Sequence, residues 1–380
     1  MANTLGVYNP IFYAQEALIQ LEKALGMASR VHLGFDEERR QFGRGQYVSI
    51  RRPSTFTAQD APSSAQNVET GTVQVELAYW KEVKFALTDK ELAFTGERIV
   101  NDHIRPAAYA LADDVDQKLA VLYRDIPWFY DLNSTTEIQD VIGPRKVLFN
   151  NKVPIQDVGN VHYMLDGTLE AGLLGLTAFS QAQGAGDVGV NTQRRGSLGM
   201  KFGMEPFANQ NVQTHTAGTF TCAAPLVSGA VAKGATSITI YHASALSGTL
   251  KAGDSFVIAG NTQRYAVTAD ATASANAITV SITPGIAAAL SGDEAVTVRV
   301  DSHSANLAFH RNAFALVTAP LSEMGNEIGA RIATIQDPVT GLSLRSRLYY
   351  DGDNSKVNVA LDILYGCKTL DPNLAVRCCG

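Results

Sequence analysis

From Ala217 to Ser302 the sequence changes character. Only nine residues in this stretch are charged (Lys233, Lys251, Asp254, Arg264, Asp270, Asp293, Glu294, Arg299 and Asp301), and Ala, Thr, Ser, Gly and Val dominate. Within it "TSITIYH", "SFVIAG", "QRYAVT", "AITVSI" and "AVTVRV" alternate apolar and polar residues, and "AGN", "ADA" and "SGDE" supply turns between them. About 86 residues of this kind suffice for a small β-barrel or sandwich with its own core. The flanking sequence reads differently, so the segment predicts an insertion that splits a host domain. Its strand and turn signals are complete, which predicts that 217–302 fold alone with both ends close together.

The host begins with an amphipathic helix, with Asn9 as N-cap, Pro10 at the first helical position, then Phe12, Ala17, Leu18, Leu21 and Leu25 on one face, closed by Gly26. A polar excursion follows from Asp36 to about Gly71, alternating only over Tyr47–Arg51. Such a stretch is uncommon inside a compact domain unless it works on something outside it. Alternation resumes in "TVQVELAYWKEVKFALT", one face of a long strand, so the excursion reads as a protruding two-stranded loop. Thr88 and Glu91 form a capping box for a short helix. Beyond Thr95 a longer helix runs towards Asp125, with Ile104, Ala108, Leu111, Val115, Leu119 and Leu122 on one face and Pro106 as a kink or its true start. Helical signal resumes after the β-rich segment with "SANLAFHRNAFALV".

Motifs that carry chemistry fail on context. "GAGDVG" (Gly184–Gly189) matches the dinucleotide fingerprint, yet "TLEAGLLGLTAFSQAQ" before it reads as a short helix and the polar "NTQRRGSLGM" follows, so a flexible loop explains the glycines. Asp113, Asp114 and Asp116 point in different directions on a helix and read as a solvated face. His303 and His310 read as ordinary helix residues without a third ligand in register. "DGDNSKVNVALD" mimics a calcium loop at Asp351, Asp353 and Ser355 but places Lys356 where glycine is required and Asp362 where a bidentate glutamate is required; it reads as a hairpin turn. Cys222, Cys367, Cys378 and Cys379 form no C-x-x-C and read as reduced thiols. No cofactor, metal site or catalytic centre is expected.

Among 380 residues, Lys+Arg number 31 against Asp+Glu 37, a net charge of −6 that advertises no nucleic-acid groove. The N-terminus lacks the pattern of a signal peptide, and no apolar run is long enough to span a membrane, so a cytosolic site of synthesis is expected.

In this order the parts resemble the major capsid proteins of tailed bacteriophages, the HK97-like fold, and in particular the P22-type coat protein family with its inserted domain. The likeness rests on "VSIRRPSTF" in the excursion, "LTDKELAF" before the long helix, "LADDVDQKL" within it, "NLAFHRNAFALVTAPL" after the insertion, and the closing "GLSLRSRLYYDGDNSKVNVALDILYGCKTLDPNLAVR". It spans nearly the whole chain. It implies an α+β fold with an N-terminal arm (1–35), an extended loop (36–80), a spine helix with P-domain sheet and the first part of an A-domain (81–216), an inserted all-β barrel (217–302), and the rest of the A- and P-domains (303–380). It further implies hexamers and pentamers of an icosahedral head, assembled in the bacterial host cytoplasm, that encloses double-stranded DNA without gripping it tightly. A separate scaffolding protein, a portal protein and a decoration protein are the implied partners. The extended loop of the family lies on an adjacent subunit, which makes Glu37, Glu38, Arg39, Arg40, Arg44, Arg51 and Arg52 candidates for inter-subunit pairs, against a solvated hairpin. The glycines at 184–189 fall in the region that meets at capsomer centres, where flexibility serves non-equivalent positions.

An encapsulin-like nanocompartment shares the fold but is not expected to carry such an insertion, and a secreted surface protein is expected to carry a signal peptide. The chain ahead of the extended loop is too short for a fused scaffolding region, so no shortening on maturation is expected. No lysine occurs between Lys23 and Lys81, so the loop has no amine for the isopeptide cross-link of the HK97 type, and an uncross-linked shell is expected.

Overall fold

The computed structural model describes residues 10–33, 46–51, 60–61, 71–88, 103–180, 192–321, 331–336 and 342–380. Helix α1 (Pro10–Ala24) precedes β1 (Tyr47–Arg51), β2 (Thr72–Glu76), β3 (Tyr79–Thr88) and α2 (Arg105–Ala120). Next come β4 (Phe129–Asp131), α3 (Gln139–Asn150), β5 (Val161–Leu165), α4 (Gly167–Gly175), α5 (Thr177–Ser180), β6 (Glu205–Ala208) and β7 (Thr214–His215). The β-rich segment holds β8 (Leu226–Val227), β9 (Ser237–Tyr241), β10 (Thr249–Leu250), β11 (Ser255–Ile258), β12 (Arg264–Val267), β13 (Ala271–Thr272), β14 (Ala277–Thr283) and β15 (Val296–Arg299). The chain closes with β16 (His303–His310), β17 (Phe314–Ala319), β18 (Arg331–Gln336), β19 (Ser343–Asp351), β20 (Lys356–Thr369) and β21 (Ala375–Cys379). The chain forms two compact units, residues 1–119 with 315–370 and residues 120–314 with 371–380.

In the first unit β20 pairs with β3, β17 and β19, and β18 extends the sheet beyond β19. Helix α1 packs on β18 and β19 and buries Tyr13, Ala14, Ala17, Leu18 and Leu21. The side chain of Phe12, the cap Asn9 and the short helix at Thr88–Glu91 lie outside the described residues, apart from Thr88, which ends β3. The long alternating strand is two: β2 pairs with β1, β3 pairs with β20, and Leu77 and Ala78 stand between them. Period-2 alternation continues across this bend because Leu77 is buried in phase, so the pattern alone misses it. Pro106 is the second residue of α2 and directly follows a π-helical turn at His103 and Ile104.

The second unit is built on a sheet in the order β4–β21–β16–β5–β6. Here the expectation of a helix over "SANLAFHRNAFALV" is corrected, since the segment forms β16 and β17. The central strand β16 lies between β21 and β5, with all of its residues but Ser304 buried. A strand covered on both faces shows no alternation, and periodicity cannot tell it from a buried helix. Asp166 caps α4 by accepting from Leu169 N–H at 2.8 Å, and the stretch read as one short helix from Thr168 forms two, α4 and α5, on either side of Leu176.

Within the same unit, β15–β11–β12–β14–β9–β8 form a six-stranded antiparallel sheet. Its two end strands meet at the bridge Leu226–Ala295, with Val227 N–H donating to Glu294 and Val296 N–H to Pro225. The enclosed core comprises Phe220, Ile240, Phe256, Tyr265, Val280 and Val296 among others, all from this segment. Its ends also meet: Ala217 N–H donates to Ser302 Oγ at 3.0 Å, and β7 pairs antiparallel with β16, His215 opposite His303.

Candidate functional site

The seven charged residues proposed for subunit pairing all belong to the excursion. Glu37, Glu38, Arg39, Arg40, Arg44 and Arg52 lie outside the described residues, as do Gly184–Gly189. Arg51 ends β1, opposite Thr72. What is described is the root of the excursion. Among the described residues, strands β1 and β2 pair only with each other. Val48, Ile50, Val75 and Leu77 on one face pack against Ala315, Val317 and Ala319 of β17. The described part of the ribbon is thus anchored by apolar packing.

Several large apolar side chains of the first unit face solvent: Trp80 is 59% exposed, Tyr109 57%, Tyr350 56% and Tyr47 52%. Beneath Trp80 lies a charged network that sequence reading missed. Asp362, fully buried, accepts from Arg345 Nε at 3.0 Å and from Trp80 Nε1 at 3.2 Å, and Arg347 bridges it to Glu82 at 3.4 and 2.9 Å. The register places Arg345 opposite Asp362 and Asp362 opposite Glu82, so the network crosses three strands. The Asp351–Lys356 turn joins two of them as a hairpin, as expected, with Asp351 accepting from Asp353 N–H at 3.2 Å and Asn354 Nδ2 at 2.9 Å.

The expectation of a solvated acidic face on α2 is also corrected. Asp116 is buried and accepts from three consecutive backbone N–H groups, Gly26 at 2.6, Met27 at 3.2 and Ala28 at 2.9 Å. These donors lead into the short 3-10 turn Ala28–Arg30 that follows α1, and the carboxylate completes their hydrogen bonds. The signal was present in the spacing, because Asp116 stands four residues after Ala112 and three before Leu119, both buried. Asp114 accepts from Tyr365 Oη at 2.6 Å and pairs with Lys81 at 3.4 Å. Burial, with Asp114 alongside, raises the Tyr365 phenol far above its ordinary range.

In the second unit polar groups gather where the β-rich segment leaves and rejoins the sheet. His215 Nε2 lies 3.1 Å from Asp254 Oδ1, and its Nδ1 is 3.2 Å from Tyr123 Oη. Asp254 Oδ2 accepts from Lys251 and Gly218 N–H at 2.7 and 3.1 Å. The rings of His215 and His303 are 5.1 Å apart. Contrary to the helix reading, His303 opens a strand, and His310 closes it with Nδ1 accepting from Asn312 N–H at 3.2 Å. Arg377 of β21, 1% exposed, donates from Nη1 to Gly253 O at 2.5 Å. On one flank Phe129 is sandwiched between the guanidinium groups of Arg264 and Arg299, 4.1 and 4.0 Å from its ring centre. Arg299 also pairs with Asp131.

All four cysteines are free thiols. Cys378 and Cys379 alternate along β21; burial pushes both thiols up, which disfavours the reactive thiolate. Among the described residues no group of three or more His, Cys, Asp or Glu side chains is placed to hold a metal ion, and no helix is long and apolar enough to cross a membrane.

No family model matches the sequence, and no curated protein does. Among solved structures the chain is similar to one from Mycobacterium phage Che8, at 14% identity and a TM-score of 0.49, over 93% of this chain and 90% of that one. It is similar to a chain of the capsid of the cyanophage P-SCSP1u, at 10% identity and a TM-score of 0.46, over 88% and 83% of the two chains. A virus-like particle from Pyrococcus furiosus is similar at 10% identity and a TM-score of 0.41, over 99% of this chain and 100% of that one.

Proposed function

We propose that this chain is the shell subunit of a tailed-bacteriophage head, a major capsid protein of the HK97-like, P22-type kind. It assembles as hexamers and pentamers around double-stranded DNA, in the bacterial cytoplasm and then the virion. The observation that carries this reading is the β1–β2 ribbon, whose strands pair, among the described residues, with each other alone and rest on β17 through an apolar face. Strands that pair only with each other are marginal in water and gain stability from a surface that covers them. The exposed Tyr47, Trp80 and Tyr350 of the same unit support association through that surface.

The meeting ends of 217–302 and their separate apolar core support reading the segment as an inserted barrel, which favours the phage coat over an encapsulin-like compartment. A scaffolding protein made separately, a portal and a decoration protein are the partners of this reading, and the subunit itself performs no catalysis. Lysine-free residues 24–80 support a shell without covalent cross-links.

Light scattering on the purified full chain, alone and co-expressed with its scaffolding protein, tests the reading. Closed particles of many subunits, which dissociate on boiling in SDS to one band near 40.6 kDa, are expected. A monomer under every condition contradicts it.

A further inference from the structure

The joint between the β-rich segment and its sheet lines a small cavity that is partly open to solvent. It is lined by His215 and His303 from the paired strands β7 and β16, Asp254 and Ser255 at the start of β11, Arg299 and Asp301, and Arg377 and Cys379 of β21. Three of these side chains carry a buried nitrogen with no hydrogen-bond partner among the described residues: Nε2 of His303, Nε of Arg377 and Nη1 of Arg299. A buried polar atom left unpaired is costly, and these three belong to side chains that line one cavity, which calls for an occupant.

The tautomer of His303 specifies what that occupant does. Its Nδ1 lies 2.8 Å from the carbonyl oxygen of Asp301, which only accepts, so Nδ1 carries the proton and neutral His303 presents Nε2 as a bare acceptor. Arg377 Nε and Arg299 Nη1 are donors. The occupant therefore donates once and accepts at least once. A water molecule does both, and the cavity, about 10 Å³, has room for one. A halide ion accepts only and leaves Nε2 unsatisfied.

We propose that the cavity binds a single internal water that donates to His303 Nε2 and accepts from Arg377 Nε, and that this hydrated joint tying the β-rich segment to β21 holds only while His303 is neutral. A proton on Nε2 turns the acceptor into a donor, so His303 and Arg377 both direct donors and positive charge at the same water. The charges facing His303 set the balance. Arg377 and Arg299 oppose its protonation, with His215 alongside, whereas Asp254 is engaged by His215 and two backbone donors and Asp301 pairs with Arg299 at 3.1 Å. Burial first, then these cations, lowers the His303 imidazole to about 4.

The test uses the full chain and a His303→Gln variant, whose amide oxygen accepts but does not titrate. A high-resolution density map near neutral pH is expected to show one peak within hydrogen-bond reach of both His303 Nε2 and Arg377 Nε. An empty cavity, or a peak with anomalous signal after bromide exchange, overturns the water assignment. Between about pH 7 and about pH 5 the folding equilibrium constant of the native chain is expected to fall about tenfold more than that of His303→Gln. Equal pH dependence in the two proteins overturns the claim that His303 controls the joint. A His303→Leu variant, which removes the acceptor, is expected to lose the peak; its persistence on other groups likewise counts against the assignment.

Discussion

The two compact units bury arginine in opposite ways. In the first, Arg345 is locked against Asp362, which also holds Arg347 and Trp80, so the charges are matched across three neighbouring strands. In the second, Arg377 is more deeply buried, yet its described hydrogen bond runs to a backbone carbonyl, its Nε has no partner among the described residues, and it lines a cavity together with His303. Burial lowers the affinity of Arg377 for its proton. The first arrangement resists change because one buried carboxylate is shared by two guanidinium groups and an indole. The second is held by groups that solvent and pH modulate, and it stands at the root of the β-rich segment.

The largest effect is expected where a shared buried charge is removed. Asp362→Ala removes the buried carboxylate that Arg345 and Arg347 share and should destabilise the chain by about 3–5 kcal/mol, read from urea denaturation. A loss below about 1 kcal/mol would mean that the network is solvated and that the contrast with Arg377 fails. Asp116→Ala leaves three N–H groups after α1 without their acceptor and should cost about 2–3 kcal/mol. Hydrogen exchange should quicken first at Gly26–Ala28, and unchanged protection there would show that α1 is held by its apolar face alone.

Acid distinguishes the two arrangements by another route. His303 in the folded chain lies near 4 against an ordinary value of 6.5, so the unfolded chain binds the proton first as pH falls. Stability from this site is therefore full above about pH 6.5, declines below it, and is lost by about pH 4, a change on the order of 1–2 kcal/mol after allowance for solvent screening. The difference between the native chain and His303→Gln isolates this contribution from that of the carboxylates. The smallest effect is expected for Arg377→Met, which removes a buried charge with no carboxylate to strand; a change within about 1 kcal/mol is predicted. A loss as large as that of Asp362→Ala would show that Arg377 has a counter-charge after all.

Much of the local structure was legible because it rests on local signals. The five longer alternating segments of 217–302 became β9, β11, β12, β14 and β15, and the Asp351–Lys356 turn joined two strands. The errors arose where tertiary cover overrides periodicity. The strand β16 is apolar throughout because both faces are covered, which mimics a helix. Asp116 read as solvated because three adjacent acids suggest a surface, although its position one turn from Ala112 and Leu119 placed it inside. The joint of His215, Asp254, His303 and Arg377 was invisible, since its members come from four places in the chain and only the pairing of β7 with β16 brings the two histidines together. The short β8, β10 and β13 were missed because two residues carry no period.

The central claim, that this is a shell subunit whose ribbon reaches a neighbour, is tested most directly by a cryo-electron microscopy reconstruction of particles assembled from the full chain. The account predicts a closed icosahedral shell of hexamers and pentamers, with the chain beyond β1 and β2 of each subunit lying on the adjacent one. Absence of closed particles, or a shell in which that segment folds back onto its own subunit, would contradict it.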